Sequence, residues 1–224
     1  MKTLIFLLLA PIFLSAQTFP LKLIDGKLHV VMFADGILTD VPVEFSSKAS
    51  AFKLSDKGLT SNRPAGKILN TELLRRLPQP ILFDFQNMEL IAGYRDFETF
   101  RAVPARISSE VQLLLKVRWK DYRFGLFPNH SFWVVMKCDR KMKFLTGYST
   151  GDSHGRYYPG IGVGIAGRDY GSGISICESC ANRIGTAFMS GFDWIIDFKE
   201  ESVMVRKNLR MLEVPSATQV IAVD

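Results

Sequence analysis

The sequence predicts a mainly β protein with only short helical pieces, and three features carry that reading. Apolar and polar residues alternate over short runs punctuated by Gly, Asn, Asp and Pro, the pattern of many short strands. Two Asp-Gly steps, Asp25-Gly26 and Asp35-Gly36, each sit between apolar-rich runs, which is the strongest short-range hairpin signal a sequence offers. Helical periodicity is confined to Thr71 to Leu77 and to Thr186 to Ser190.

Taken in order, the first residues read as an address. Lys2 precedes an apolar run from Leu4 to Leu14 broken by Pro11, and Ser15-Ala16 supplies small residues for cleavage. This is the pattern of a secretory signal peptide over residues 1 to 16, which predicts a secreted or periplasmic protein. The run falls short of the ~20 apolar residues of a membrane span, and no later segment approaches that length, so no integral membrane segment is expected. LKLIDGKLHVVMFADGILTDVPVEFS then reads as consecutive hairpins. VQLLLKVRW, YRFGLF and SFWVVMKC read as three further strands, with Lys120-Asp121 as the turn between the first two.

Residues 146 to 173 hold nine of the 17 glycines, so a phosphate-binding loop must be considered there. GIGVGIAG lacks the Lys-Ser/Thr step such a loop needs, and its alternation reads as a Gly-rich hairpin strand. The net charge of +6 is scattered; its tightest clusters are Arg75-Arg76 and Lys137 to Lys143, KCDRKMK, which read as solvated turns. No nucleic-acid partner is expected. Of the three cysteines, Cys177 and Cys180 have the spacing of a small disulfide loop. The same spacing suits a redox CxxC motif, but Ala-Asn-Arg-Ile-Gly-Thr follows where such chemistry wants a helix. Metal needs a further ligand pair, and none is visible, so no cofactor is expected. His130 and His154 read as turn and loop residues, since neither has a partner acid fixed by sequence.

Two stretches echo each other. ILNTELLRRLPQPILFDF, from Ile68, and RIGTAFMSGFDWIIDF, from Arg183, both run from Asn-Thr or Gly-Thr through a short apolar segment to a strand ending in Asp-Phe, Asp84-Phe85 and Asp197-Phe198. A gap at Pro78-Gln79 aligns them, and the long offset suits a duplicated lobe, since solenoid periods run only about 20 to 50 residues. Here the chain resembles the retropepsin-like and pepsin-like aspartic proteases, whose closing segment has this form. Asn70 stands for the family's Gly, as the residue that best tolerates a left-handed backbone.

The resemblance implies a two-lobed fold with a pseudo-twofold repeat: a shortened N-terminal lobe over 17 to 105, a C-terminal lobe over 106 to 212, and a tail over 213 to 224. It also implies a catalytic Asp-Thr/Ser-Gly triplet in each lobe, because two carboxylates sharing one proton activate the water. No such triplet occurs in the chain. The first lobe offers Ser46-Ser47-Lys48 at that place, and the second, in the register that the sequence suggests, Phe127-Pro128-Asn129. The expectation is therefore a protein without peptidase activity, kept for binding a peptide or protein ligand or for structural work. The alternatives are an active aspartic-type peptidase that uses other acids, such as Asp35, Asp40, Asp152 or Asp169, or a homodimeric site, and a thiol protein built on Cys177 and Cys180.

Overall fold

A computed structural model describes residues 16–46, 52–55, 58–61, 68–121, 131–138, 144–146, 157–158, 161–171, 174–176 and 182–209. The elements in chain order are β1 (Gln17–Ile24), β2 (Lys27–Ala34), β3 (Ile37–Glu44), β4 (Phe52–Ser55), β5 (Gly58–Ser61), β6 (Leu69–Asn70), α1 (Thr71–Arg76), β7 (Ile81–Asp84) and β8 (Glu89–Ala92). There follow β9 (Arg101–Val103), β10 (Ala105–Ile107), β11 (Leu113–Asp121), β12 (Ser131–Met136), β13 (Phe144–Thr146), β14 (Tyr157–Tyr158), β15 (Ile161–Ile165), β16 (Arg168–Gly171), β17 (Ile174–Ile176), β18 (Arg183–Ile184), α2 (Thr186–Met189), β19 (Phe192–Asp197) and β20 (Ser202–Lys207). The mainly β fold with two short helices is the one expected. Among the described residues no helix is long and apolar enough to cross a membrane.

Both Asp-Gly steps form two-residue hairpin turns, with Asp25 and Gly26 at φ +50° and +76° and Asp35 and Gly36 at +54° and +78°. Positive φ at both central residues gives the turn whose twist matches the flanking strands, and Asp and Gly tolerate it best. Lys120-Asp121 is not a turn. Both residues lie inside β11, opposite Gly162 and Ile161 of β15, because cross-strand pairing with the Gly-rich hairpin overrides their low strand propensity. That hairpin, β15 and β16, turns at Ala166-Gly167.

The two units meet in one antiparallel ladder. Ile81 lies opposite Ile196, Leu82 opposite Ile195 and Phe83 opposite Trp194. With ILFD (81 to 84) laid on WIID (194 to 197), exchange of the units leaves this ladder unchanged and carries the Leu82–Ile195 pair onto itself. A pseudo-twofold axis therefore passes through that pair. The relation extends outward through the sheet β1-β8-β7-β19-β20-β9. Asp84 pairs with Glu89 and Asp197 with Ser202 across equal four-residue turns, whose last residues, Met88 and Glu201, have φ +58° and +52°. Asp84 accepts from the Asn87 backbone and side chain, both at 2.8 Å, and Asp197 accepts from the backbone of Lys199 and Glu200. These paired carboxylates cap turns, as Asp is suited to do.

On the far sides of the sheet, Gln17 to Phe19 pair with β8 as Arg101 to Val103 pair with β20, and Pro20 and Pro104 follow in step. Arg101 in this correspondence answers to Gln17. One face of the central ladder, with Ile81, Phe83, Trp194 and Ile196, belongs to the main core. Leu82 and Ile195 point the other way and are covered by Phe100 and Tyr94 from the segment joining the units. Asp193, fully buried, is held by the Arg206 guanidinium at 2.9 and 3.2 Å and by the Gln86 backbone N–H at 3.1 Å, while Arg206 lies over the Phe100 ring. A buried carboxylate needs this complete set of partners.

Truncating Leu82 at the axis leaves a cavity that a β ladder cannot close. Leu82→Ala is expected to destabilise the protein by about 2 to 5 kcal/mol, read as a lower midpoint in urea unfolding. Ile195→Ala should cost about as much, and the double variant less than the two together, because the residues touch the same cluster.

Candidate functional site

Strand β3 leaves the core beside β6, with which it pairs in parallel: Val43 opposite Leu69 and Glu44 opposite Asn70. Asn70 then caps α1, its side-chain oxygen accepting from the Leu73 N–H at 2.9 Å. Its φ is −83° and that of Gly185, at the same place before α2, is −114°. Neither is left-handed, so the expected reason for Asn70 is replaced by another: it satisfies an N–H of the first helical turn. The cap is Asn70, and Thr71 is the first residue of the helix.

Strand β12 repeats the arrangement. Val135 lies opposite Arg183 and Met136 opposite Ile184, and the Lys137 N–H donates to the Ile184 carbonyl at 2.9 Å. Because Leu69 and Ile184 each stand one residue before a helix cap, Met136 corresponds to Val43, Lys137 to Glu44 and Cys138 to Phe45. A second, independent route agrees. Leu21 and Ala105, each following its proline, lie opposite Val30 and Leu115, and these lie opposite Val41 and Val134.

This register differs from the one that the sequence suggested for the second triplet. Phe127, Pro128 and Asn129 fall between β11 and β12, the connection that in the first unit is the Asp35-Gly36 turn. The connection is longer than its counterpart, and nothing in the sequence marks the difference as an insertion. Phe127 to Asn129 lie outside the described residues, as do Ser47, Lys48, His130, Asp152, His154, Cys177 and Cys180.

Ser46 is described, and it stands where the first acid is expected, one residue beyond Phe45. It is nearly buried; its N–H donates to the Glu44 carbonyl at 3.0 Å and its hydroxyl to Glu44 Oε2 at 3.3 Å. Phe45 is buried against Phe83 and, across the seam, Phe198, with both ring centroids at 5.7 Å. Cys138, which is buried, reaches the other unit through its carbonyl, which accepts from the Leu28 N–H at 2.7 Å. The ends of β3 and β12 therefore both abut the partner unit. Of the alternative acids, Asp35 lies at a hairpin tip, and Asp40 is paired with Lys22 at 2.9 Å about 20 Å along β3 from Ser46. Asp169 sits in β16 opposite Gly164. Among the described residues no three His, Cys, Asp or Glu side chains gather to hold a metal ion.

The repeated Thr has a function that sequence reasoning did not find. The Thr71 hydroxyl donates to the Val111 carbonyl at 3.2 Å, and the Thr186 hydroxyl donates to the Gly26 carbonyl. Gly26 and Val111 are corresponding residues of the two units, each with positive φ. Each helix thus binds the first hairpin of the opposite unit beside the seam. Only the recurrence of Thr after Asn70 and Gly185 hinted at this.

No protein-family model matches the sequence, and no curated protein matches it. The fold does have solved relatives in shape. The aspartic proteinase from Irpex lacteus superposes with a TM-score of 0.57 at 9% identity, covering 90% of this chain and 99% of that one. At that identity the likeness establishes an aspartic-protease-like, bilobal β fold and nothing about activity.

The reciprocal threonine bonds make a direct prediction. Thr71→Val and Thr186→Val keep the side-chain shape and each strand one carbonyl at the seam, so each should lower stability by about 1 to 2 kcal/mol in chemical denaturation. Both threonines are buried, and the loss at Thr186 should be the larger because its partner Gly26 is buried while Val111 is half-buried.

Proposed function

We propose that this chain is a secreted or periplasmic protein of aspartic-protease-like fold, without peptidase activity, that binds an extended peptide or protein segment at the seam between its units. The observation that carries the reading is Ser46. It lies two residues beyond the end of β3, where the resemblance requires the first of two acids, and its hydroxyl is bonded to Glu44.

In the sequence Asp139 follows Cys138 as Ser46 follows Phe45. Counted so, the resemblance implies at most one acid where the chemistry needs two. A single carboxylate has no like-charged neighbour with which to share a proton, and so cannot serve as base toward water while a partner acts as acid. A leader peptide is supported by the strand that starts at Gln17, the first residue after the expected cleavage point.

Purified protein, incubated with an unfolded protein at about pH 3 to 5, should release no fragments, and Asp139→Asn should behave identically. Acid-dependent cleavage that is blocked by a transition-state peptide mimic and lost in Asp139→Asn would overturn the proposal. For the leader, sequencing of the protein recovered from outside the cytoplasm should give Gln17 as the first residue; a product still carrying Met1 would refute secretion by this route.

A further inference from the structure

Three cations converge in the second unit, where the edge of the central sheet meets the hairpin of β15 and β16. Arg101 of β9 lies opposite Val205 of β20, and Lys207 stands two residues beyond Val205, opposite Phe192. Residues opposite each other or two apart share a face, so Arg101 and Lys207 are diagonal neighbours beside Val205, with α-carbons roughly 7 to 8 Å apart. From the hairpin, the Tyr170 ring packs edge-on against Phe192 with centroids 4.8 Å apart, and the Lys207 ammonium lies 6.0 Å from the centre of the Tyr170 ring. Arg168, two residues before Tyr170, shares its face of β16. Burial raises the pKa of the Tyr170 phenol, while Arg168 and Arg101 both act on it in the opposite sense. Both guanidinium groups therefore lie near one hydroxyl, and that hydroxyl keeps its proton to donate.

Arg101, Arg168 and Lys207 are exposed, and among the described residues none of them is paired with an acid. Lys22, Arg75, Arg76 and Arg206, by contrast, each hold a carboxylate. Like charges gathered without a counter-charge destabilise a fold. Gln17, which answers to Arg101 in the first unit, is uncharged, so the shared architecture does not require the cluster.

We propose that Arg101, Arg168, Lys207 and the Tyr170 hydroxyl form a site for a tetrahedral dianion, a phosphate or sulfate group, either free or carried as an ester. The donors select the class. Two guanidinium forks, an ammonium and a phenol present donors from several directions, which suits the four oxygens of a tetrahedral anion better than the two of a carboxylate. The double charge also offsets more of the local excess than a single one. Packing against Phe192 holds the Tyr170 ring, so its hydroxyl loses little freedom on binding. The site uses no residue of β3 or β12 and stands independently of the peptide-binding reading.

The test is titration of the purified full chain with potassium phosphate, potassium sulfate and glucose 6-phosphate, in slightly alkaline solution at constant ionic strength, followed by calorimetry and by the thermal midpoint. Phosphate and sulfate should bind saturably and raise the midpoint, and acetate should bind about tenfold more weakly. Arg101→Gln and Arg168→Gln should each weaken phosphate about tenfold and Tyr170→Phe about threefold, whereas Lys199→Gln, an exposed lysine outside the cluster, should change nothing. The ligand-free midpoints of the Gln variants should hold or rise, because repulsion is relieved, and this separates lost binding from lost folding. Glucose 6-phosphate binding tighter than phosphate would assign the site to an esterified group, and equal or weaker binding to the free anion; either supports the proposal. Midpoint shifts no larger than those given by acetate, or phosphate binding that survives in Arg101→Gln/Arg168→Gln/Lys207→Gln, would overturn it.

Discussion

The pairing of β7 with β19 is the constraint from which the rest of the molecule follows. Three residue pairs, centred on Leu82 and Ile195, define the pseudo-twofold axis, and every other correspondence is read outward from them. The ladder separates two apolar layers, the main core on one face and the small Leu82, Ile195 and Phe100 cluster on the other. Antiparallel pairing between equivalent strands is what allows the units to be alike. A parallel ladder could not be mapped onto itself by a twofold rotation in the same way.

Around this axis the units hold each other by groups that reach across. Thr71 and Thr186 bind opposite hairpins, the Gln79 side-chain oxygen accepts from the Phe198 N–H at 3.0 Å, and Asp193 accepts from Gln86. Such polar contacts fix register where apolar packing alone tolerates sliding, because a displaced donor or acceptor would be left buried and unpaired. The seam is therefore rigid at its base, while the two chain segments that run past it differ in chemistry. Symmetry of backbone has been kept and symmetry of side chain has not: Phe45 answers to Cys138, and Glu44 to Lys137.

The parts of the fold that were legible in the sequence are those governed by neighbours in the chain. The Asp-Gly hairpins depend on two residues, and the closing segments after Asn70 and Gly185 on a helical turn and a strand. The register of the second unit was hard to read because it depends on ladders between distant residues, and the connection between β11 and β12 is longer than its counterpart. The cross-unit threonine bonds were hidden for the same reason, since Thr186 and Gly26 are 160 residues apart. Lys120 and Asp121 show local preference yielding to pairing, while Asn70 shows a correct position with the wrong cause attached, a helix cap and not a left-handed turn.

The central ladder also sets the order in which the protein can be completed. Strand β7 is synthesised long before β19, and until the later strand arrives Ile81 to Phe83 form an open, apolar edge able to pair with any passing strand. Ladders closed over such sequence separations form slowly. The nascent first unit is thus a species that needs shielding, and a chain exported unfolded across a membrane would escape that hazard by acquiring both halves of its sheet in the same compartment at nearly the same time.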